Sequence, residues 1–399
     1  MDPRFVESIY VLKDNERIGT LTRTAEGALF RYDVASTRAV SYTMPLSRNS
    51  YESRGVNLHP FFAGLLPEGL RLHALQASVK TSKDDLFSLL IASGPDTIGD
   101  ISLSSLKDKP NQHQVEALGL DEISFEELFQ KKVLLSGPKD NLAIAGVQPK
   151  ISAAMISFPL RVAKKNKSYI VKLEPKDFPQ IIQNEAFFMS LAKNCGIQTP
   201  HVQTVTDKEG KKALLIERFD RFYDVSKKVL RKIHQEDACQ FLSRYPADKY
   251  RLTLSEICEG ISQFGSTPLL DIAKLLKVTA FSYMIGNGDL HGKNISLYED
   301  PETGYCTVSP AYDLLSTLVY GDSSMALSVE GRNDNIKLRD FINLGERFGV
   351  LAKITTKMLS ILVNRVESSI PKLTSIGLSE KKRIHLEKTM MKRIKHLSA

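Results

Sequence analysis

In the stretch I-G-N-G-D-L-H-G-K-N-I-S, Ile285 to Ser296, the carboxylate of Asp289 is followed by the side-chain amide of Asn294 with D-x-x-x-x-N spacing. ATP-dependent kinases use this spacing to present a hydroxyl-activating carboxylate and then a magnesium-binding amide from one loop. A second carboxylate is needed to hold the metal, and Asp313 in S-P-A-Y-D-L-L-S-T can supply it. The segment between reads as a hairpin: Ile295 to Tyr298, a turn through Asp300-Pro301-Glu302-Thr303-Gly304, then Tyr305 to Val308. Its return strand would carry Asp313 back beside Asn294. An Asn or Asp in a loop is ordinarily a turn or cap residue. The hairpin and the second Asp amid apolar residues move the reading to magnesium and phosphate chemistry.

The elements that must position these groups begin with S-I-Y-V-L, R-I-G-T-L-T, A-L-F-R-Y and A-V-S-Y-T-M, separated by turn signals, which predict a small antiparallel sheet. Helical patterning runs from Phe61 to Gln76, interrupted at Pro67 and Gly69, and from Asp84 to Ser93. The strand beginning Ile98-Gly99-Asp100-Ile101 carries a glycine that would let another backbone, or a nucleotide, approach closely. The polar run with Pro110, Gly119, Gly137 and Pro138 reads as a linker holding a short helix over Glu122–Lys131. The lone Gly146 and Lys150 in Ala143–Met155 do not make a P-loop. That segment is either a turn into a strand or a phosphate-covering loop.

Ser168–Leu173 is strand-like and places Lys172 in an apolar setting ahead of a helix over Asn184–Ala192. A lysine on a strand followed by an acidic helix is how kinases neutralise the α- and β-phosphates. Gly196 caps that helix, and Glu185 either pairs with Lys172 or favours the helix N-terminus. Ala213–Asp220 is a strand whose end is where a kinase hinge would offer backbone groups to adenine. Beyond Arg221 the chain turns helical over Gln235–Leu242, Leu254–Phe264, Pro268–Ile285, Ile336–Phe348, Ala352–Ser369 and Ser379–Leu397. The expected architecture is α+β and two-lobed. A mixed β-rich N-terminal lobe with an added small N-terminal subdomain precedes an all-helical C-terminal lobe, with a cleft between the lobes. The expected boundaries are 1–107, 108–141 (linker), 142–220 and 221–399.

A length of 399 residues suggests two or three packed units. No apolar run approaches the roughly 20 residues that span a bilayer, and M-D-P-R-F-V-E-S lacks a signal-peptide pattern, so a cytoplasmic protein without membrane contact is expected. Cys195, Cys239, Cys258 and Cys306 have no C-x-x-C spacing, which argues against a zinc site or disulfide framework. A net charge of +8 permits an acidic partner or nucleic acid. The last helix carries Lys381, Lys382, Arg383, Lys388, Lys392, Arg393 and Lys395. With no aromatic or base-reading pattern beside them, a solvated face is the first reading and a nucleic-acid contact the second.

The motifs F-F-A-G-L-L-P-E at Phe61, T-I-G-D-I at Thr97, A-I-A-G-V-Q-P-K at Ala143, Y-I-V-K-L at Tyr169, N-E-A-F-F at Asn184, I-E-R-F-D at Ile216, H-Q-E-D at His234, N-G-D-L-H-G-K-N at Asn287 and P-A-Y-D-L-L-S at Pro310 occur in order. Together they make the chain similar, over nearly its whole length, to the HipA-type toxins, serine/threonine protein kinases of bacterial toxin-antitoxin systems. The resemblance implies a protein-kinase-like fold using ATP and Mg2+. It implies that Lys172 contacts the ATP phosphates, that Glu217 and Phe219 form the hinge, that Ile98 lines the adenine pocket and that Gln235 binds near the ribose. Asp289 would be the base, Asn294 and Asp313 the magnesium ligands, and His291 and Lys293 would help neutralise the transferred phosphate. Ala143, Ile144, Gly146, Gln148 and Lys150 would belong to a regulatory loop over the nucleotide. The implied partners are a helix-turn-helix antitoxin, operator DNA through that antitoxin, and a translation protein as substrate, typically an aminoacyl-tRNA synthetase.

One position departs from the family pattern. Where many members carry an autophosphorylated serine in S-I-A-G, this chain has Ala143-Ile144-Ala145-Gly146, and alanine has no hydroxyl to accept phosphate. The chain either lacks that self-inactivation or carries a substitution that prevents it. G-D-L-H-G-K-N also resembles the catalytic loop of aminoglycoside-type small-molecule phosphotransferases, but these lack A-G-V-Q-P-K and the N-terminal sheet. A pseudokinase acting only as a binding partner is a further alternative, against which the retention of Lys172, Asp289, Asn294 and Asp313 counts.

Overall fold

A computed structural model describes residues 2–55, 58–94, 96–104, 124–125, 127, 156–162 and 167–398. The expected linker, except Ser124, Phe125 and Glu127, and the expected loop at Ala143, Ile144, Gly146, Gln148 and Lys150 lie outside the described residues. The chain divides into two units. One is Met1–Leu173, Thr206–Lys211 and Glu217–Pro246; the other is Glu174–Val205, Lys212–Ile216 and Ala247–Ala399.

The first unit opens on β1 (Ser8–Lys13), β2 (Glu16–Thr24), β3 (Gly27–Tyr32) and β4 (Ser50–Arg54), continues through α1 (Pro60–Gly64), α2 (Gly69–Val79) and α3 (Leu86–Ala92), and returns as β5 (Ile101–Ser104). These strands form one sheet in the order β4-β3-β2-β1-β5. Asp14 and Asn15 both take positive φ between β1 and β2, as a tight hairpin turn demands. Alternation along β3 sends Ala28, Phe30 and Tyr32 inward, where they join Phe61 and Phe62 in one core. The apolar F-F-A segment is core.

A-V-S-Y-T-M, expected as a strand, is instead a turn closed by an isolated Ser41–Met44 bridge. The buried Tyr32 hydroxyl accepts from Val40 N at 2.8 Å and donates to Met44 O at 2.5 Å. Tyr42 N donates to Glu236 at 2.7 Å. With its polar groups taken by distant partners, the segment has no sheet neighbour to seek.

Next come β6 (Ile156–Val162) and β7 (Lys167–Leu173), an antiparallel pair that sets Ser157 opposite Lys172. They are followed by α4 (Ile181–Asn194), β8 (Val202–Thr206), β9 (Lys212–Glu217), β10 (Arg221–Asp224), β11 (Val229–Lys232), β12 (Gln235–Asp237) and α5 (Ala238–Phe241). Gly196 ends α4 with φ 72°, and Ile197 N reaches back to Ala192 O at 3.0 Å, the closure that a glycine permits. The helix expected from Gln235 starts only after Asp237. That residue caps it, accepting from Gln240 N at 3.0 Å while Gln240 Oε1 accepts from Asp237 N at 3.0 Å.

The second unit is organised around a buried helix. α6 (Leu254–Phe264) opens on a Thr253–Glu256 capping box, and α7 (Pro268–Ile285) begins with proline and stops at Gly286, φ 74°. Every residue from Thr279 to Ile285 is buried, because α6, α8 (Leu338–Arg347), α9 (Ala352–Glu367) and α10 (Glu380–Leu397) all pack on α7. β13 (Ser296–Glu299) and β14 (Cys306–Val308) form the expected hairpin. α6 and α7 have the expected limits, because their caps are written locally.

Arg393 of the basic final helix does not lie on a solvated face. It is 4% exposed and donates to Tyr283 O at 2.9 Å and to Ser323 O. The class is α+β and kinase-like. Among the described residues, no helix is long and apolar enough to cross a membrane.

Candidate active site

The loop that carries Asp289 is held from beneath by its own glycines. A Cβ on Gly286 would lie 2.9 Å from Leu318 Cβ, and one on Gly288 would lie 2.7 Å from Ser324 O and 2.8 Å from Asp322 Oδ1. Gly288 N donates to Thr317 Oγ1 at 2.7 Å, and Asn287 Oδ1 accepts from Asp289 N at 3.1 Å. Only a side-chain-free backbone can settle this closely on the 317–324 segment.

Asp289 is buried, and Tyr250 donates its hydroxyl to Asp289 Oδ1 at 2.8 Å. Asn294 closes a single 3-10 turn; its Oδ1 accepts from His291 N at 3.1 Å, and its Nδ2 donates to Asp313 Oδ2 at 3.1 Å. The return from β14 is fixed by Ser309 N to Ser296 O at 2.9 Å, by Tyr312 and Ser296 hydroxyls at 2.7 Å, and by Tyr312 hydroxyl to Lys293 O at 2.8 Å. Asn294 and Asp313 are thus brought together across the hairpin, and Asp289 lies five residues before Asn294 in the same loop. The Asp313 carboxylate and the lone pair left on Asn294 Oδ1 are the oxygen donors here, and oxygen is what magnesium takes while keeping several waters. Asp313 holds φ 56°, a left-handed conformation that few residues other than glycine adopt.

His291 is buried with its ring edge-on to Tyr250, centroids 5.0 Å apart, while Lys293 is half-buried. Sequence reasoning missed Tyr250 and the role of Asn184. Buried Asn184 clamps the segment after Asp313, donating from Nδ2 to Ser316 O at 2.9 Å and accepting from Ser316 N at 2.9 Å. Its N-E-A-F-F motif was visible, but only Glu185 drew a chemical reading. Nothing in the sequence around Tyr250 marks it.

In the first unit, the Ile98–Gly99 turn and the Arg218–Arg221 segment meet at one buried carboxylate, and the Gln235 backbone lies against Gly99. Asp220 accepts from Gly99 N at 2.9 Å, from Arg218 at 2.7 Å and from Arg221 at 2.9 Å, and both arginines also reach Asp96 and Thr97 O. Burial opposes the charge on Asp220, but the two guanidiniums outweigh it and hold the carboxyl below its ordinary range. Gly99 takes φ 78°, and a Cβ there would lie 3.0 Å from Gln235 O, so the expected close approach is that of the Gln235 backbone. Ile98 beside it stays 53% exposed. Arg218 N donates to Ser168 O at 2.8 Å, and Lys167 pairs with Glu217 at 2.7 Å. That ties the 217–218 segment to β7, where Lys172 is buried.

A second buried chain supports the strand of Gln235. His234 lies 2.9 Å from Asp100 through Nδ1 and 3.0 Å from Glu236 through Nε2, and Lys13 shares Asp100 at 3.0 Å. Burial and the Lys13 ammonium, 2.8 Å from the same Nδ1, oppose a proton on His234, yet the two carboxylates prevail and push its pKa up to about 9. T-I-G-D and H-Q-E-D are thus two halves of one scaffold, which their separation in sequence concealed.

Residues 142–371 match the HipA-like C-terminal domain and residues 9–104 the HipA N-terminal domain. The protein Y4mE of Sinorhizobium fredii is 31% identical over 345 residues, covering 81% of this chain and 80% of that protein. The serine/threonine-protein kinase toxin HipA of Shewanella oneidensis is 29% identical over 309 residues, 73% of this chain and 69% of that protein. The solved complex of the Shewanella oneidensis MR-1 toxin-antitoxin proteins HipA and HipB with operator DNA contains a chain that matches with TM-score 0.77 at 23% identity. The match spans 98% of this chain and 97% of that one, which establishes a common fold. Fold and relatives define a kinase-type enzyme. The chain belongs to the HipA family of kinase toxins.

Proposed function

We propose that the chain is an ATP- and magnesium-dependent serine/threonine protein kinase of the cytoplasm. In this reading it arrests growth by phosphorylating a translation protein such as an aminoacyl-tRNA synthetase. The observation that carries the reading is the 3.1 Å approach of Asn294 to Asp313 on the loop that also presents Asp289. Asp289 orients the substrate hydroxyl and takes its proton, and Lys293 and His291 offset charge on the transferred phosphoryl group. Asn294 and Asp313 would hold magnesium, which supplies positive charge against the phosphate oxygens. Lys172 serves the nucleotide's phosphates, the backbone of Glu217 and Phe219 its base, Ile98 the adenine face and Gln235 the ribose. A helix-turn-helix antitoxin bound to operator DNA is the proposed partner, supported by the fold shared with the HipA of the HipB–DNA complex.

The test is incubation of the chain with γ-labelled magnesium-ATP and purified aminoacyl-tRNA synthetases of its host, followed by mapping of phosphopeptides. Label on a synthetase serine or threonine is expected. Label confined to a small-molecule acceptor, or none on any protein, contradicts the proposal.

A further inference from the structure

Tyr250 is stitched to the catalytic loop at three points. Its hydroxyl donates to Asp289 Oδ1 at 2.8 Å, its ring meets His291 edge-on at 5.0 Å, and the preceding carbonyl, that of Lys249, accepts from Gly292 N at 2.9 Å. The backbone bond and the ring contact fix where the hydroxyl sits, so the phenol has little freedom to point elsewhere. Asp289 is 7% exposed, and its backbone N–H is already spent on Asn287. Its carboxylate receives the Tyr250 hydroxyl through Oδ1.

We propose that Tyr250 is a positioning residue for phosphoryl transfer, holding one carboxylate oxygen of Asp289 so that the other faces the incoming hydroxyl. A general base works only when its oxygen lies within hydrogen-bond reach of the proton it takes, and a carboxylate free to rotate spends much of its time out of line. A phenol suits the task because it donates without adding charge. It therefore fixes the base without the strong proton-affinity penalty that a neighbouring ammonium or guanidinium would impose. The inference rests on the kinase reading above.

Tyr250→Phe keeps the ring against His291 and deletes only the donor. Expected is a fall in kcat of roughly tenfold, the scale of one lost hydrogen bond to a charged group, with KM for magnesium-ATP and the melting temperature unchanged. In the Asp289→Asn background the same change should cost little further, because the carboxylate it orients is gone. A residue that merely supports the fold would instead lower the melting temperature and depress activity equally in both backgrounds. Unchanged kcat in Tyr250→Phe, beside an active wild type, overturns the role of Tyr250 and leaves the kinase reading standing. A wild type that transfers no phosphate to protein overturns both.

Discussion

Asp313 combines an expected metal ligand with an unfavourable backbone, φ 56°. Strain of this kind costs about 1–3 kcal/mol and persists where the surroundings over-determine it; here Asn287 and Asn294 bond Asp313 from either side of Asp289. Asp313→Gly should therefore weaken magnesium-dependent ATP binding while leaving the melting temperature equal or higher, as calorimetry on one preparation would show. Loss of stability with ATP affinity intact would contradict the assignment. Ala143→Ser introduces a hydroxyl where the resemblance implies one, and we expect phosphate at residue 143 after incubation with magnesium-ATP, followed by loss of transfer to protein. Intact mass and peptide mapping check it, and an unmodified serine variant would rule the brake out. At this scale the chain was legible wherever the chemistry is local. Asp289 and Asn294 share one loop, and the turn that returns Asp313 is spelled out in D-P-E-T-G. Tyr250 and Asn184 act across 39 and 132 residues, on Asp289 and Ser316, and no local pattern announces such contacts.

At the level of elements, the same distinction holds. α6 and α7 begin at a capping box and a proline and end at glycine, signals confined to a few residues, so their limits could be read. Ala39–Met44 and Gln235 were misassigned because Tyr32 and Glu236 override local preference in the first, and the Asp237 cap delays the helix in the second. The Asp220 cluster joins β10, the Ile98–Gly99 turn and Arg218 through one carboxylate. Removing one partner of a buried charge network leaves the others uncompensated, typically at about 3–5 kcal/mol. Asp220→Ala should lower stability on that scale in urea titrations and raise KM for ATP more than it lowers kcat. A surface-like loss of under about 0.5 kcal/mol would show that the arginines find other partners and that the cluster does not hold the turn.

For the molecule as a whole, the buried Lys13–Asp100–His234–Glu236 chain makes stability depend on pH in a definite direction. His234 titrates at about 9 in the fold against 6.5 ordinarily, so it binds its proton more tightly when folded. Its contribution is whole below about 6.5 and is lost as pH rises through about 9. Asp100 and Asp220 are held below the ordinary carboxylate range; their contribution is present above that range and lost as pH falls through it. Denaturant midpoints measured from pH 6 to pH 10 should fall in the wild type and fall less steeply in His234→Gln. Parallel curves for the two would contradict the imidazolium. Fold class was legible because sheet patterning and helix caps change from one end of the chain to the other. The two buried charge networks were not, because each joins motifs that the sequence keeps far apart.

The assignment of Asp289 as the base for transfer of phosphate from ATP to a protein hydroxyl rests on its place in the loop that ends at Asn294, which Asp313 meets. It is tested most directly by comparing Asp289→Asn with the wild type in single-turnover transfer to protein and in equilibrium binding of magnesium-ATP. Binding within a few-fold of wild type is expected, with transfer slowed by about 10²–10⁴-fold, the usual contribution of one positioned base. Transfer at the wild-type rate by the Asp289→Asn variant, with ATP bound equally well, would contradict it.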